Sequence, residues 1–539
     1  MRLISVSDMK ELEKNANDAG FTYAEMMQTA GKGIADYLVS QYGGTGINTA
    51  IGLVGKGNNG GDTVIALAGL QKSGWTTRAL LVGERGKQDP LLMDYLAIGG
   101  MVVDADDIPM INREAGGRGV VLDGVYGTGF HPPLPDRIVG IFRTARESLP
   151  GFDWVAVDCP SGVDCENGIV SDGTMHVKKS LSLGAVKFGM LSAEAFPYCG
   201  ELVVIDIGLS KFDATSGEMI DLVIDEQYCR DVLPKRTAFS HKGTYGKTLI
   251  IGGSVNYPGA PVLAGKAAYT VGTGLVQVAV PESIGQISPA GNPDLTWLIL
   301  EDGGGIISEQ AANTAIEHIP SAQSLVLGPG MGRESSTTKF LTRLLFESAR
   351  NHQPHTGFPG MGSKVTSTPI SSDWPPIVLD ADGLFHLAQD NHWQEKVSAK
   401  LVLTPHPGEM ALLTGLSVEE IQADRIGVAR EWAQKWGQIV VLKGALTVIA
   451  NPDGRVGVVP VATSSLAKAG TGDVLAGMIG GLLAQSLDPW RAVAAGAYLH
   501  ARAGLCAEEL IGCSESVTAS DVIRAIPRVY WKLKSNDLP

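Results

Sequence analysis

Ala469-Gly470-Thr471-Gly472-Asp473 runs directly into residues 474–483, a stretch of apolar and small side chains. A Gly-Thr-Gly turn that opens a helix offers unpaired backbone N–H groups and a positive dipole end to an anion, and it sets the Asp473 carboxylate beside that anion. The pattern describes a nucleotide site with a proton-handling group in it. Alone, a G-x-G-D run also describes, less often, a Gly-rich turn ahead of a buried helix, so its neighbours decide the reading.

Those neighbours are short apolar runs, each followed by a loop rich in glycine. In the second half they fall at 248–253, 275–280, 325–328, 377–380, 401–404 and 439–442, separated by helical stretches. Continuous apolar strands alternating with helices read as a parallel sheet covered on both faces, with ligands at the strand carboxyl ends. Behind the strands come Pro258-Gly259-Ala260-Pro261, Gly328-Pro329-Gly330-Met331-Gly332, Asp380-Ala381-Asp382-Gly383, Thr404-Pro405-His406-Pro407-Gly408-Glu409 and Lys443-Gly444-Ala445-Leu446-Thr447. A histidine between prolines is usually structural; one at a strand end, in line with these loops, reads as a site residue.

The first half repeats the scheme with runs at 51–54, 79–82, 119–122 and 154–157. Gly55-Lys56-Gly57-Asn58-Asn59-Gly60-Gly61-Asp62 follows the first, with a helix expected from about Thr63; its glycines allow a phosphate to approach the backbone closely. Two other strands end in Asp123 and Asp158. Carboxylates at neighbouring strand ends converge on one crevice and repel unless a cation or ligand binds them. Any one of them could instead be a turn or helix cap.

At 539 residues the chain exceeds what one core usually serves, so two or three domains are expected. The two series give an α/β protein of two doubly wound domains, residues 1–215 and 246–535, joined by a polar connection at 216–245. Residues 352–376, rich in Pro, Gly, Ser and Thr, read as an exposed insertion. The formal charge of -14, with no basic cluster, argues against a nucleic-acid partner. Six cysteines without a C-x-x-C pair suit a reduced, cytoplasmic protein without zinc. Asp8, Glu11 and Glu13 near the start argue against a secretion signal, and no apolar run suggests a membrane span. A homo-oligomer is expected.

K-G-N-N-G-G-D at 56–62, D-G-V-Y-G-T-G at 123–129 and D-C-P-S-G-V-D at 158–164 resemble the epimerase domain of the bifunctional NAD(P)H-hydrate repair enzymes, over about residues 1–215. The resemblance implies a Rossmann-like domain with a potassium ion near Asn59, Asp123 and Ser161. It also implies substrate contacts from Asn58, Asn59, Gly60, Gly61 and Asp62, from Gly127, Thr128, Gly129, Phe130, His131, Pro132 and Pro133, and from Asp158. Thr63 departs from the family, which usually has a further glycine there. The H-P-G-E, K-G-x-x-T and A-G-T-G-D runs of the second half resemble the NAD(P)H-hydrate dehydratase branch of the ribokinase-like superfamily, over about 225–530. That implies nucleotide contacts from Lys443, Gly444, Ala445, Leu446, Thr447 and Gly472, and hydrate contacts from Ala260, Gly330, His406 and Asp473. ADP or ATP, with Mg2+, is then the co-substrate, and NADHX and NADPHX are the substrates.

The hydrate carries a hydroxyl on C6 of the reduced nicotinamide ring, which the lone pair on the ring nitrogen can expel to leave an iminium. Water returning to the other face gives the epimer; loss of a C5 proton gives NAD(P)H. Asp473 is the expected proton-transfer group of the dehydratase of the S hydrate, and Asp158 that of the epimerase. Hydroxide leaves poorly, which accounts for a nucleotide. Two other readings use the same residues: a vitamin or sugar kinase with an appended ligand-binding domain, and a first domain that only binds. The intact N-N-G-G-D and D-x-P-S-G loops speak against the last.

Overall fold

Parallel strands need both faces covered, and the first apolar runs are buried on both. The computed structural model describes residues 1–83, 85, 88–212, 220–347 and 374–535. By the contacts within it the chain divides into two units, Met1–Val223 and Ile224–Pro539. The insertion expected at 352–376 lies, apart from 374–376, outside the described residues.

The first unit contains β1 (Leu3–Ile4), β2 (Thr49–Val54), β3 (Thr76–Leu81), β4 (Met101–Val103), β5 (Gly119–Gly124), β6 (Phe152–Val157), β7 (Lys179–Leu183), β8 (Val186–Lys187), β9 (Glu201–Ile205) and β10 (Leu222–Val223). Its main sheet has the order β4-β3-β2-β5-β6-β7-β9 and is parallel throughout, while β1 pairs with β8. Side chains alternate across it: Ala50, Val54, Val120 and Leu122 enter one core cluster, and Ile51, Leu53 and Val121 the other. The chain runs outward from β2 to β4 and returns beside β2 as β5, so the crevice where strand order reverses lies between the ends of β2 and β5.

The second unit contains β11 (Lys247–Ile251), β12 (Leu275–Pro281), β13 (Thr296–Leu300), β14 (Ser324–Leu327), β15 (Ile377–Leu379), β16 (Leu401–Leu403), β17 (Ile439–Leu442), β18 (Val448–Ala450) and β19 (Val456–Val458). Their order is β19-β18-β17-β16-β15-β14-β11-β12-β13, parallel from β17 to β13, with β18 and β19 antiparallel. Here order reverses between β11 and β14, and a Cβ on Gly252 would lie 2.3 Å from the Pro329 carbonyl oxygen, so the two loops touch backbone to backbone.

Two local readings change. The helix expected from Thr63 begins at Asn58, with Gly57 as its N-cap, which puts the N-N-G-G-D residues in its first turns rather than in a loop. Thr63 explains part of this: its hydroxyl donates to the Asn59 carbonyl at 2.8 Å, closing the turn. Strands β1, β4, β7, β8, β9, β10, β13, β18 and β19 were not expected. β7, Lys-Ser-Leu-Ser-Leu, is buried along its whole length although its alternation is that of a half-exposed strand. Within 216–245 lie β10 and the helix Glu226–Val232, capped by the Asp225 side chain at 2.8 Å from the Tyr228 N–H.

The helix Thr471–Ala484 is buried from Val474 onward, so its apolar residues show no helical stripe. It packs on the helix Ala260–Thr270 with no room to spare: a Cβ on Gly477 would meet the Ala264 carbonyl oxygen at 2.1 Å. Gly477→Ala is expected to destabilise the protein by about 1–3 kcal/mol through overpacking, read as a lower urea midpoint. Gly140→Ala, in an open helical position with nothing within 4 Å, is expected to hold or raise it.

Candidate functional site

Each unit carries a cavity at its strand ends. In the second, a cavity of about 590 Å³ is lined by Asp473, Lys443, His406 and Gly472, with Gly444, Ala445 and Thr447 along one wall. Gly470, in the left-handed conformation at φ 90°, caps the helix Thr471–Ala484 and supplies no side-chain acceptor; the Thr471 N–H donates to the Lys468 carbonyl at 3.3 Å, and those of Gly472 and Asp473 stay open among the described residues. The Thr471 hydroxyl donates to the carbonyls of Leu466 and Lys468, each at 2.8 Å, which fixes the turn.

Lys443 is the centre of the charge arrangement. Its Nζ donates to Asp380 Oδ1 at 2.6 Å and lies 3.6 Å from Glu409 Oε2. Burial disfavours the ammonium, but Asp380 and Glu409 outweigh it and raise its pKa. Thr404 also donates to Asp380 Oδ1, at 2.8 Å. Gly472 stands beside this pair: a Cβ there would be in ordinary contact, 3.6 Å from Lys443 Nζ and 3.8 Å from Asp380 Oδ2. Asp473 has no such partner among the described residues. Burial and then Asp380 push its carboxyl up to about 7, against the pull of Lys443.

His406 caps its own helix. Its Nδ1 accepts from the N–H groups of Gly408 and Glu409 at 3.0 and 3.2 Å, and Glu409 accepts in return from the His406 N–H at 2.8 Å. Burial and Lys443 lower its pKa, in keeping with an accepting, neutral ring. The structural and the site reading of this histidine therefore hold together, since the ring also faces the cavity. Leu446 is not on the cavity wall; it is buried at φ 55° and bonds Val461. Ala260 and Gly330 also lie off the wall but are neighbours: a Cβ on Gly330 would be 2.9 Å from Ala260 Cβ. One turn beyond Ala260, Leu263 packs on Gly470.

In the first unit a cavity of about 570 Å³ is lined by Asn58, Asn59, Asp62 and Asp158 and by Gly127, Thr128, Gly129 and Phe130. Gly60 and Gly61 are buried behind it; a Cβ on Gly60 would strike the Gly55 carbonyl oxygen at 2.0 Å. His131, Pro132 and Pro133 are not on the wall, and the exposed His131 ring pairs with Asp164 at 2.9 Å. Asp158, at φ 67°, accepts from the Leu183 N–H at 3.0 Å and forms a buried ion pair with Lys187.

Asp123 and Ser161 lie below this cavity and bond each other: Ser161 Oγ donates to Asp123 Oδ1 at 2.6 Å and Ser161 N–H to Oδ2 at 2.8 Å. Tyr126 joins them to Asn59, donating its N–H to Ser161 Oγ at 2.9 Å and accepting from Asn59 Nδ2 at 2.8 Å. That leaves Asn59 Oδ1 buried without a partner. An orphaned amide oxygen, a hydroxyl and a buried carboxyl, pushed up to about 6 by its burial, are hard oxygen donors that fit a potassium ion. For Mg2+ the case differs. No three His, Cys, Asp or Glu side chains are grouped to hold a metal among the described residues, so Mg2+ fits only as a companion of nucleotide phosphates.

Residues 248–356 and 357–528 match the family model described as NAD(P)H-hydrate dehydratase, and residues 23–189 match the YjeF-related protein N-terminus. The bifunctional NAD(P)H-hydrate repair enzyme of Moorella thermoacetica is 31% identical, over 99% of this chain and 97% of its own. The chain belongs to the bifunctional NAD(P)H-hydrate repair enzyme family. The Escherichia coli member is 30% identical over 97% of this chain and 92% of its own. The ADP/ATP-dependent NAD(P)H-hydrate dehydratase of Bacillus subtilis, crystallised with ATP and Mg2+, is 31% identical, with a TM-score of 0.47 over 58% of this chain and 99% of its own.

Several wall residues escaped the sequence reading. Asp380 and Glu409 stood in loops already singled out, and their strand-end positions were the available signal. Lys187, Glu13 and His500 had none: two lie inside helices and one ends a two-residue strand.

The raised Asp473 fixes a sign. A carboxyl whose pKa is higher folded than unfolded contributes full stability only below its unfolded value and loses it as pH rises through its folded value. Asp473→Asn is therefore expected to raise the melting temperature of the ligand-free protein. The gap from the parent should widen between about pH 4 and about pH 7, measured by scanning fluorimetry across pH; a constant gap would contradict the assignment.

Proposed function

We propose that this chain repairs hydrated nicotinamide cofactors. The first unit interconverts the R and S forms of NADHX and NADPHX, and the second dehydrates the S form to NADH or NADPH with ADP or ATP. One observation carries the reading: at the open N-terminus of the helix Thr471–Ala484, a carboxyl with raised proton affinity shares a cavity with the Lys443 ammonium. An anion site and a group able to take a proton near neutral pH are the two parts a nucleotide-dependent dehydration requires.

In this reading the nucleotide phosphates lie against the N–H groups that follow Gly470, with Lys443 and the 443–447 loop beside them and Mg2+ bound to the phosphates. The nicotinamide ring then faces Asp473, bordered by His406 and by the Ala260–Gly330 pair. The ring nitrogen expels the C6 hydroxyl, whose departure is eased by phosphate, and Asp473 takes the C5 proton. A single carboxyl in a fixed place accounts for the use of one epimer. In the first unit, Asn59, Asp123 and Ser161 would hold potassium, which supplies positive charge beneath the Gly-rich loop. The substrate contacts are then those at 58–62, at 127–133 and at Asp158.

We assign the protein to the cytoplasm, in keeping with its six free cysteines. Among the described residues no helix is long and apolar enough to cross a membrane. A homo-oligomer is in keeping with the exposed Met93, Leu96, Met101 and Val102 on and beside edge strand β4.

The test is recovery of dihydronicotinamide absorbance from purified hydrate. Recovery is expected only with ADP or ATP, rising with pH through about 7 as Asp473 ionises. Asp473→Asn should lower the rate by about 10²–10⁴ and flatten that profile. A phosphorylated product without recovered absorbance would instead identify a kinase. Interconversion of the epimers should require no nucleotide, and it should slow when potassium is replaced by tetramethylammonium; equal rates would remove the cation. Residues 1–215, expressed alone, should keep the interconversion, and residues 220–539 the dehydration.

A further inference from the structure

Moving the C6 hydroxyl from one ring face to the other needs two proton-transfer groups, because the oxygen that leaves on one face must gain a proton while the water that adds on the other must lose one. The first cavity contains more than one candidate. Asp158, at the end of β6, and Glu13, on the helix Val6–Asp18, line it from separate elements. They are differently supported. Asp158 Oδ1 is held by the Leu183 N–H and by Lys187, which is 1% exposed and also donates to the Leu183 carbonyl at 3.1 Å. Glu13 has no hydrogen bond or ion pair among the described residues, and lies within electrostatic reach of Asp158, Lys187 and Lys10.

Taking the first unit as the epimerase proposed above, we infer that Glu13 is its second catalytic carboxyl, working opposite in role to Asp158. With the proton on Glu13 and the carboxylate on Asp158, the ring nitrogen's lone pair forms the N1=C6 double bond and the C6–O bond breaks. The leaving oxygen takes the Glu13 proton and becomes water. A water then adds to C6 from the other face; its oxygen forms the new C–O bond, the N1=C6 electrons return to nitrogen, and its proton goes to Asp158. The roles exchange for the reverse direction, and the two carboxyls return their protons to solvent or to each other between turnovers.

The electrostatics favour that starting arrangement. Burial and then Asp158 raise the Glu13 pKa, against Lys187 and Lys10. Lys187 is itself held charged: burial pulls its pKa down, but the adjacent Asp158 carboxylate more than offsets this and the net shift is upward. A carboxyl with raised proton affinity beside a carboxylate held in an ion pair is how an environment divides acid from base. Asp62 is a third carboxyl on the wall, raised by burial, Asp158 and Glu13. It is 6% exposed in the first turns of the helix Asn58–Lys72, whereas Glu13 is only half-buried and better placed to exchange protons with solvent.

The experiment follows R–S interconversion by the full-length protein without nucleotide, across pH, in wild type, Glu13→Gln, Glu13→Asp and Glu13→Ala. Wild type should interconvert the epimers with a bell-shaped profile. Glu13→Gln should lose about 10²–10⁴ in kcat with little change in KM, and lose the limb that reports the acid. Glu13→Asp should recover part of the rate, and Glu13→Ala should recover with added formate. Glu13→Gln within about threefold of wild type, or a Glu13→Ala loss that formate leaves unchanged, would overturn the inference alone. A wild type that fails to interconvert the epimers would overturn the epimerase reading itself, and the inference with it.

Discussion

A parallel sheet collects its strand ends on one edge, and in both units those ends carry carboxyl groups into a partly dry cavity. Each unit meets this with one buried ammonium placed directly on one aspartate: Lys187 on Asp158 in the first, Lys443 on Asp380 in the second. An ammonium out of water is costly unless it is paired, so each lysine is committed to its partner. In each cavity carboxyls nevertheless remain that this lysine does not touch. The carboxyls left over are Glu13 and Asp62 in one and Asp473 in the other, and burial makes all three bind protons more tightly. The raised proton affinity of these groups is thus a by-product of how charge is matched at the strand ends.

The backbone is bent to bring this about. Among the described residues four non-glycine positions have positive φ, and Asp158, Ala381 and Leu446 are three of them. Each sits in a strand-end loop of a cavity or immediately behind its wall. Such conformations persist only where surrounding contacts fix them. For Leu446 these are a buried side chain and the Val461 carbonyl; for Asp158 they are the Leu181 carbonyl, the Ser182 hydroxyl and Lys187. Arg425 does the same for the 443–447 loop, donating to the carbonyls of Leu442 and Lys443 at 3.0 and 3.2 Å.

Much of this was legible in the sequence because parallel strands buried on both faces are continuous apolar runs and because a phosphate-binding turn needs glycine at fixed places. The G-T-G-D run opened its helix where expected, and the K-G-x-x-T loop came to the same cavity. The parts that were not legible have physical reasons. β7 alternates Lys, Ser and Leu yet is buried, since its serines bond backbone carbonyls of Cys199 and Asp158 instead of water. β18 and β19 are three residues each, too short for any period. Lys187 and Glu13 stand alone among ordinary residues, and only the fold gives them their neighbours. Asn58 and Asn59 were seen as loop residues, and the helix that contains them places them on the cavity wall.

Asp473 carries a proton near neutral pH because burial, and then Asp380, disfavour its carboxylate, and Lys443, occupied by Asp380 and Glu409, does not offset them. Its carboxyl can be followed directly by infrared difference spectroscopy between wild type and Asp473→Asn across pH, in the ligand-free protein. A protonated carboxyl band that disappears near pH 7, and that persists to higher pH when Lys443 is replaced by Met, is the predicted result. A carboxyl that is already ionised at pH 5 would contradict it.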